Sequence, residues 1–225
     1  MNSKAPDALN AATSQEVVQQ LVERNRERAA QLKSYTDERH YKVTYHGFPA
    51  TVTDSMVVQA TYDSPTTKRF QIVSQTGSKF LGNKVLKKLL HSEKEAALDP
   101  AGTALTPTNY IFTLLGEQAV MGRKCYVFHV EPKVKSKFLY RGRIYIDAVD
   151  YAVIQIDAEP AKNPSFWIER VNIHHAYEKT GQFWLPQSDR SQTTLRFGGT
   201  AELTIDYGTY RVQSTASHES KSLGR

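Results

Sequence analysis

The 225-residue chain contains one cysteine, Cys125. A single thiol excludes an intramolecular disulfide and any zinc site built from several cysteines. Cys125 sits in an alternating run, where a free cysteine is usually a small buried strand residue. The chain also lacks any stretch of about 18 consecutive apolar residues, so no transmembrane helix is predicted. Its opening, MNSKAPDALNAATSQ, has no apolar core of a secretion signal. That fits a cytoplasmic chain or one whose signal has been removed. With no cysteine near the N-terminus, a lipid anchor there is not expected. Catalytic signatures are missing as well: there is no H-E-x-x-H, no phosphate-binding G-x-x-x-x-G-K-[ST], no G-x-G-x-x-G and no G-x-S-x-G. His174 and His175 are adjacent on a predicted strand, so they point to opposite faces and cannot share a metal. Ser165 follows Pro164 in a loop with no base to activate it. No catalytic residue, metal or cofactor is expected.

Charge is present but uneven. The net charge is +6. Lys133, Lys135, Lys137, Arg141 and Arg143 fall in one window, just after Arg123 and Lys124, with only Glu131 opposing them. Such a window favours an anionic head group, an anionic membrane surface or an acidic partner protein. Nucleic acid is not expected, because no helix-turn-helix, zinc-finger or RNP-type motif accompanies the charge. The plain alternative is a solvated hairpin edge, where lysine also discourages edge-to-edge pairing.

Residues 1–12 read as a disordered lead, 13–213 as one domain and 214–225 as a disordered tail. Thr13-Ser14-Gln15-Glu16 has the form of a capping box, predicting a helix to about Ser34. Its stripe is Val17, Val18, Leu21, Val22, Ala29 and Leu32. Alternating strands follow from Tyr41 to Ser74. A second helix is predicted over 84–98, capped by Asn83 and stopped by Asp99-Pro100, with Val85, Leu86, Leu89, Leu90 and Ala97 inward. A polar loop over 101–109 could cover the sheet. The remainder is strand after strand to Val212. About ten strands, two helices and no βαβ spacing predict an α+β fold with an antiparallel sheet. Charges interrupt both faces of most strands, which argues against a transmembrane barrel.

The densest information lies in Phe138–Pro186. Asp147-Ala148-Val149-Asp150 predicts a three-residue hairpin loop that pairs Ile146 with Ala152 and Ile144 with Ile154. Ile144, Ile146, Ile154 and Ile156 would then share one face. Glu159 to Pro164 is a proline-bearing loop, and an alternating strand runs from Trp167 to Tyr177.

Arg123 with Cys125-Tyr126-Val127, Tyr140-Arg141-Gly142-Arg143-Ile144, Asn163-Pro164-Ser165-Phe166-Trp167 and Phe183-Trp184-Leu185-Pro186 resemble segments of the outer-membrane lipoprotein-sorting superfamily. That group includes LolA, LolB and the sensor RseB, and the resemblance covers roughly residues 14–212. It implies an incomplete, half-open antiparallel β-barrel whose two helices cover a concave apolar face. It further implies a periplasmic, non-enzymatic carrier for an acyl chain, lipid or lipoprotein. The alternative it implies is an envelope sensor that binds another protein through the sheet face or edge.

From the residues themselves, the face expected to line a cavity is Ile144, Ile146, Ile154, Ile156, Val171, Ile173, Leu203 and Ile205, with Trp167 as a ring that could clamp a ligand. Lys133, Lys135, Lys137, Arg141 and Arg143 would contact a head group or partner.

Overall fold

A computed structural model describes residues 6–215. Helix α1 (Pro6–Gln31) leads directly into eleven strands. These are β1 (Leu32–His46), β2 (Val52–Asp63), β3 (Thr67–Gly77), β4 (Tyr110–Val120), β5 (Arg123–Pro132), β6 (Tyr140–Asp147), β7 (Val153–Pro160), β8 (Ile168–Thr180), β9 (Phe183–Leu195), β10 (Thr200–Tyr207) and β11 (Arg211–Ser214). All pair antiparallel in one sheet, in the order β3-β2-β1-β10-β9-β8-β7-β6-β5-β4. Both β10 and β11 lie on the same side of β1. They amount to one strand position broken near Gly208, whose N–H still donates to the Glu38 carbonyl at 2.7 Å. The sheet does not close: β3 and β4 are its two edges. It is the predicted half-open barrel with helices on its apolar side.

One connection is not a hairpin. β3 and β4 are consecutive in sequence yet lie at opposite edges, so the chain between them must cross the sheet. It does so as a helical strap: a turn α2 (Lys79–Leu81) capped by the Ser78 hydroxyl, a π-helical stretch (Gly82–Leu86), α3 (Lys87–Leu98) and a turn α4 (Pro100–Thr103). The predicted second helix thus begins five residues early, at Lys79, and Ser78 is its cap instead of Asn83. The loop after α4 is tied to itself, Asn109 Nδ2 donating to the carbonyls of Ala101 (2.7 Å) and Ala104 (2.9 Å).

Other boundaries differ for definable reasons. Residues 6–12, expected to lack structure, are helical, and the Thr13–Glu16 box lies inside α1 instead of opening it. Residues 1–5 and 216–225 lie outside the described residues, while Ser214 belongs to β11. Helix α1 stops at Gln31, and Lys33 and Ser34 already pair or sit in β1. That strand is longer than its apolar pattern because two of its inward residues, Asp37 and Arg39, are charged and neutralise each other. β4 runs as a single strand through Gly116, which at φ 138° absorbs a bulge that interrupts the alternation.

Two clusters form on the helical side. Under α1, Val17, Val18 and Leu21 pack with Tyr110, Phe128, Val130, Leu139, Ile144, Ile146 and Ile156. Under the strap, Leu81, Leu86 and Leu90 pack with Tyr41, Val43, Met56, Val58 and Ile205. On the outer side a smaller cluster joins Val120, Cys125, Val127, Tyr145 and Ile154.

Candidate functional site

Register defines the inner face strand by strand, because directly opposed residues share a face. One row runs Met56, Tyr41, Ile205, Asp189, His175, Ile156, Ile144, Phe128, Leu114. The neighbouring row runs Val43, Leu203, Ser191, Ile173, Ala158, Gly142, Val130, Phe112. Gly142 is required in that row: at φ 149°, a Cβ would stand 2.3 Å from the Asp157 carbonyl oxygen.

The two ends of each row are covered and the middle is less so. Ile144, Ile146 and Ile156 are core beneath α1, and Ile205 is core beneath the strap. Between the two helices, Ile173, Leu203, Ser191, His175 and Asp189 are only half-buried, beside buried Val171. This leaves an inner strip of mixed character on β8, β9 and β10. Its polar centre is a chain: His175 Nδ1 bonds Asp189 Oδ1, and Tyr207 Oη donates to Asp189 Oδ2 at 2.7 Å. Burial would lower the His175 pKa, but the hydrogen bond and charge of Asp189 outweigh it and hold it above its ordinary value.

The Tyr207 ring continues the chain by stacking 4.8 Å from the Arg39 guanidinium, with Phe70 at 5.4 Å on the same group. Arg39 is 2% exposed. It donates to Asp37 at 2.7 Å and to Glu93 of α3 at 2.7 Å, and Tyr41 Oη donates to the other Glu93 oxygen at 3.0 Å. Burial opposes the Arg39 charge, yet Glu93 and Asp37 more than compensate and its pKa is raised. A buried cation with two carboxylates thereby fastens the strap to the sheet. Sequence reading missed this group, since Asp37-Glu38-Arg39-His40 reads as a solvated face. The one available signal was that Asp37 and Arg39 are two apart on a strand flanked by inward tyrosines.

Two expected site residues are placed elsewhere. Ile154 is not on the inner face. The β6–β7 hairpin pairs Ile144 with Ile156 and Ile146 with Val153, with a bulge between Tyr145 and Ile146, and Ile154 turns into the outer cluster. The loop holds four residues instead of three, and its left-handed residue is Tyr151 at φ 47°. Asp147 organises it by accepting from the N–H groups of Val149 (3.0 Å) and Asp150 (2.7 Å) while pairing with Arg123. Trp167 lies before β8 in a loop, 62% exposed, not in the strip.

The basic window divides. Lys133, Lys135 and Lys137 occupy the β5–β6 loop, where Lys137 pairs with Glu95 at 2.6 Å and Lys133 donates to the Pro107 carbonyl. Arg141 and Arg143 project from the outer face, Arg141 pairing with Glu159 at 3.2 Å. That face carries its own row, Arg190, His174, Asp157, Arg143, His129. An open groove of about 650 Å³ lies there, lined by Arg141, Asp157, Glu159, His174, Arg190 and Gln192 among others. His174 bonds Asp157 at 2.6 Å, so the two adjacent histidines serve opposite faces as expected. Among the described residues no group of three or more His, Cys, Asp or Glu side chains is placed to hold a metal ion, and no helix is long and apolar enough to cross a membrane.

A family model described as "Family of unknown function (DUF5686)" matches residues 4–211. No curated protein matches. Among solved structures, the chain is similar to a DUF1329 family protein from Desulfovibrio piger at TM-score 0.48 and 11% identity, covering 89% of this chain and 93% of that one. It is similar to a putative outer membrane lipoprotein-sorting protein domain from Vibrio parahaemolyticus at TM-score 0.47 and 12% identity, covering 94% and 96%. A LolA superfamily protein from Nitrosomonas europaea gives TM-score 0.38 and 9% identity, covering 89% and 93%.

Proposed function

The chain belongs to DUF5686, and we propose from its geometry that it is a non-enzymatic, periplasmic binding protein that holds the acyl chain of a lipid or lipoprotein on its inner face. One observation carries this reading. The two helical layers each bury their own end of the sheet, and the strip between them keeps Ile173, Leu203 and Val171 beside the His175–Asp189–Tyr207 chain. A strip with apolar walls and a few placed hydrogen-bonding groups suits an amphiphile better than a purely polar or purely apolar ligand. Ile144, Ile146 and Ile156 support the strip from beneath α1, and Ile205 from beneath the strap; they do so as packed core.

The test is native mass spectrometry of protein purified from a bacterial periplasm, followed by lipid extraction under denaturing conditions. A stoichiometric lipid or acylated peptide is expected on the wild type, and its loss from Ile173→Asp and Leu203→Asp. A clean unliganded mass that gains nothing from phospholipid or lipopeptide would sink the carrier reading.

A second reading rests on a separate observation. The outer groove presents charges of both signs, and the β4 edge is unpaired with Ile111 and Leu115 exposed beside it. An envelope sensor would use these to bind a protein. In that case the lipid-free chain binds its partner fully, and Arg190→Glu or Ile111→Lys abolishes the complex while Leu203→Asp does not.

A further inference from the structure

Antiparallel pairing sends alternate connections to opposite ends of the sheet. One end, where β1 finishes at His46, gathers the β1–β2 hairpin, the β5–β6 loop, the β7–β8 loop, the β9–β10 hairpin and the start of the strap. That rim concentrates exposed aromatic rings. Phe48 is 94% exposed, Phe166 71%, Phe197 72%, and Trp167 stands with them. Phe80 and Val134 are exposed on the same rim. Isolated exposed apolar residues are ordinary, but a one-sided concentration of them is not. Among the described residues, the loops of the opposite rim expose only Met121 and Val149 as large apolar side chains.

Three of the rings form a built cluster across two loops. Trp167 and Phe197 centroids are 5.2 Å apart, Phe166 and Trp167 6.0 Å, Phe166 and Phe197 6.5 Å. The loops are joined by the Arg196 N–H donating to the Trp167 carbonyl at 3.0 Å, and Asn163 Nδ2 bridges the carbonyls of Ile168 and Glu169 at 3.1 Å each. Cations interleave with the rings. Arg196 lies 5.4 Å over the Phe166 ring. Lys135, Lys162 and Arg170 have no ion pair among the described residues. Glu169 is the acidic residue of the 161–170 stretch, and the β5–β6 and β9–β10 loops hold none.

We infer that this rim is a membrane-docking face that inserts Phe48, Phe166, Trp167 and Phe197 into the interface of an anionic bilayer while Arg196, Lys135, Lys162 and Arg170 meet the head groups. Aromatic rings settle at the boundary between head groups and acyl chains, and basic side chains within a Debye length of anionic lipid add attraction. The anchors stand on three loop tips along a rim. A fluid interface receives such anchors without shape complementarity, whereas a protein partner would need a matching surface. This docking goes beyond cargo binding and stands independently of what the inner strip holds.

Flotation with protein-free vesicles of phosphatidylcholine and phosphatidylglycerol tests it. Wild type floats with the vesicles, and its tryptophan emission shifts to shorter wavelength. Phe166→Ser with Phe197→Ser lowers the partition at least about tenfold. Lys162→Glu with Arg196→Glu weakens binding to the anionic vesicles, and Met121→Ser with Val149→Ser on the opposite rim changes nothing. Wild type left at the bottom of the gradient overturns the proposal, as does a ring variant that floats like wild type. Circular dichroism and thermal melting establish that each variant is folded. Should the double ring variant unfold, Phe48→Ser takes its place with the same two readings. Because the assay measures attachment and not retained lipid, failure here leaves the mass-spectrometric test of the inner strip unaffected.

Discussion

Arg39 shows how a charged side chain becomes structural. It is fully enclosed, yet its charge is met on several sides: it pairs with the carboxylates of Asp37 and Glu93 and lies over the rings of Tyr207 and Phe70. Taking away one partner of such a group leaves the others buried and unpaired, which costs more than the pair itself contributes. Arg39→Met should therefore lower the unfolding free energy by about 3–5 kcal/mol in urea titrations; a loss below about 1 kcal/mol would show that water reaches Asp37 and Glu93. His175 makes a pH-dependent contribution of known sign. Its pKa is raised in the fold, so the stabilisation is complete below the ordinary histidine value and disappears as pH rises through the raised one. The melting temperature of wild type, measured against that of His175→Gln, should fall as pH increases from about 6 into the weakly alkaline range. A constant difference across that range would mean the His175–Asp189 pair does not change protonation there.

At the scale of elements, the hairpin between β6 and β7 shows what a sequence can and cannot specify. Turn residues and alternation placed it correctly between Ile146 and Val153, and they correctly put Ile144, Ile146 and Ile156 on one face. They missed the fourth loop residue and the bulge, which together pair Ile144 with Ile156 instead of Ile154 and exchange the faces of Val153 and Ile154. Of these two, Ile154 leaves the inner face, and its side chain packs into the outer Cys125–Val127–Tyr145 cluster. The strap was half legible for a related reason. Its apolar stripe at Leu86 and Leu90 was readable, but its crossing from edge to edge follows from topology alone. So does the aromatic rim, whose four rings lie in three segments far apart in sequence. Two substitutions separate the faces. Ile154→Ala should cost about 2–5 kcal/mol of stability as a buried truncation and leave any bound lipid in place. Ile173→Asp, on a half-buried position, should cost less stability and remove the lipid. If Ile154→Ala instead releases lipid from a still-folded protein, the inner and outer faces have been assigned the wrong way round.

For the molecule as a whole, the distribution of the core matters more than its amount. Helix α1 secures β4 to β7, the strap secures β1, β2 and β10, and the sheet joins the two halves through β8 and β9, whose inner residues include Asp189, Ser191 and Thr193. Backbone hydrogen bonds cross that junction through a bulged β8–β9 ladder, and apart from the cluster of Phe183 and Leu185 with Tyr35 and Tyr210 at one end, apolar packing thins there. Local stability follows local burial, so the two halves should open as separate cooperative units. Native-state amide exchange of Leu21→Ala reads this directly. Leu21 is fully buried under α1, and its truncation should accelerate exchange in β4–β7 while amides of β1–β3 keep nearly wild-type protection. A ligand lying on the strip touches residues of both halves, and by mass action it stabilises every state that retains the whole strip. Adding a phospholipid that binds should therefore slow exchange in both halves together and narrow the difference that Leu21→Ala creates. Uniform acceleration throughout the sheet without ligand would mean that the backbone ladder through β8 and β9 is sufficient to make the molecule a single unit.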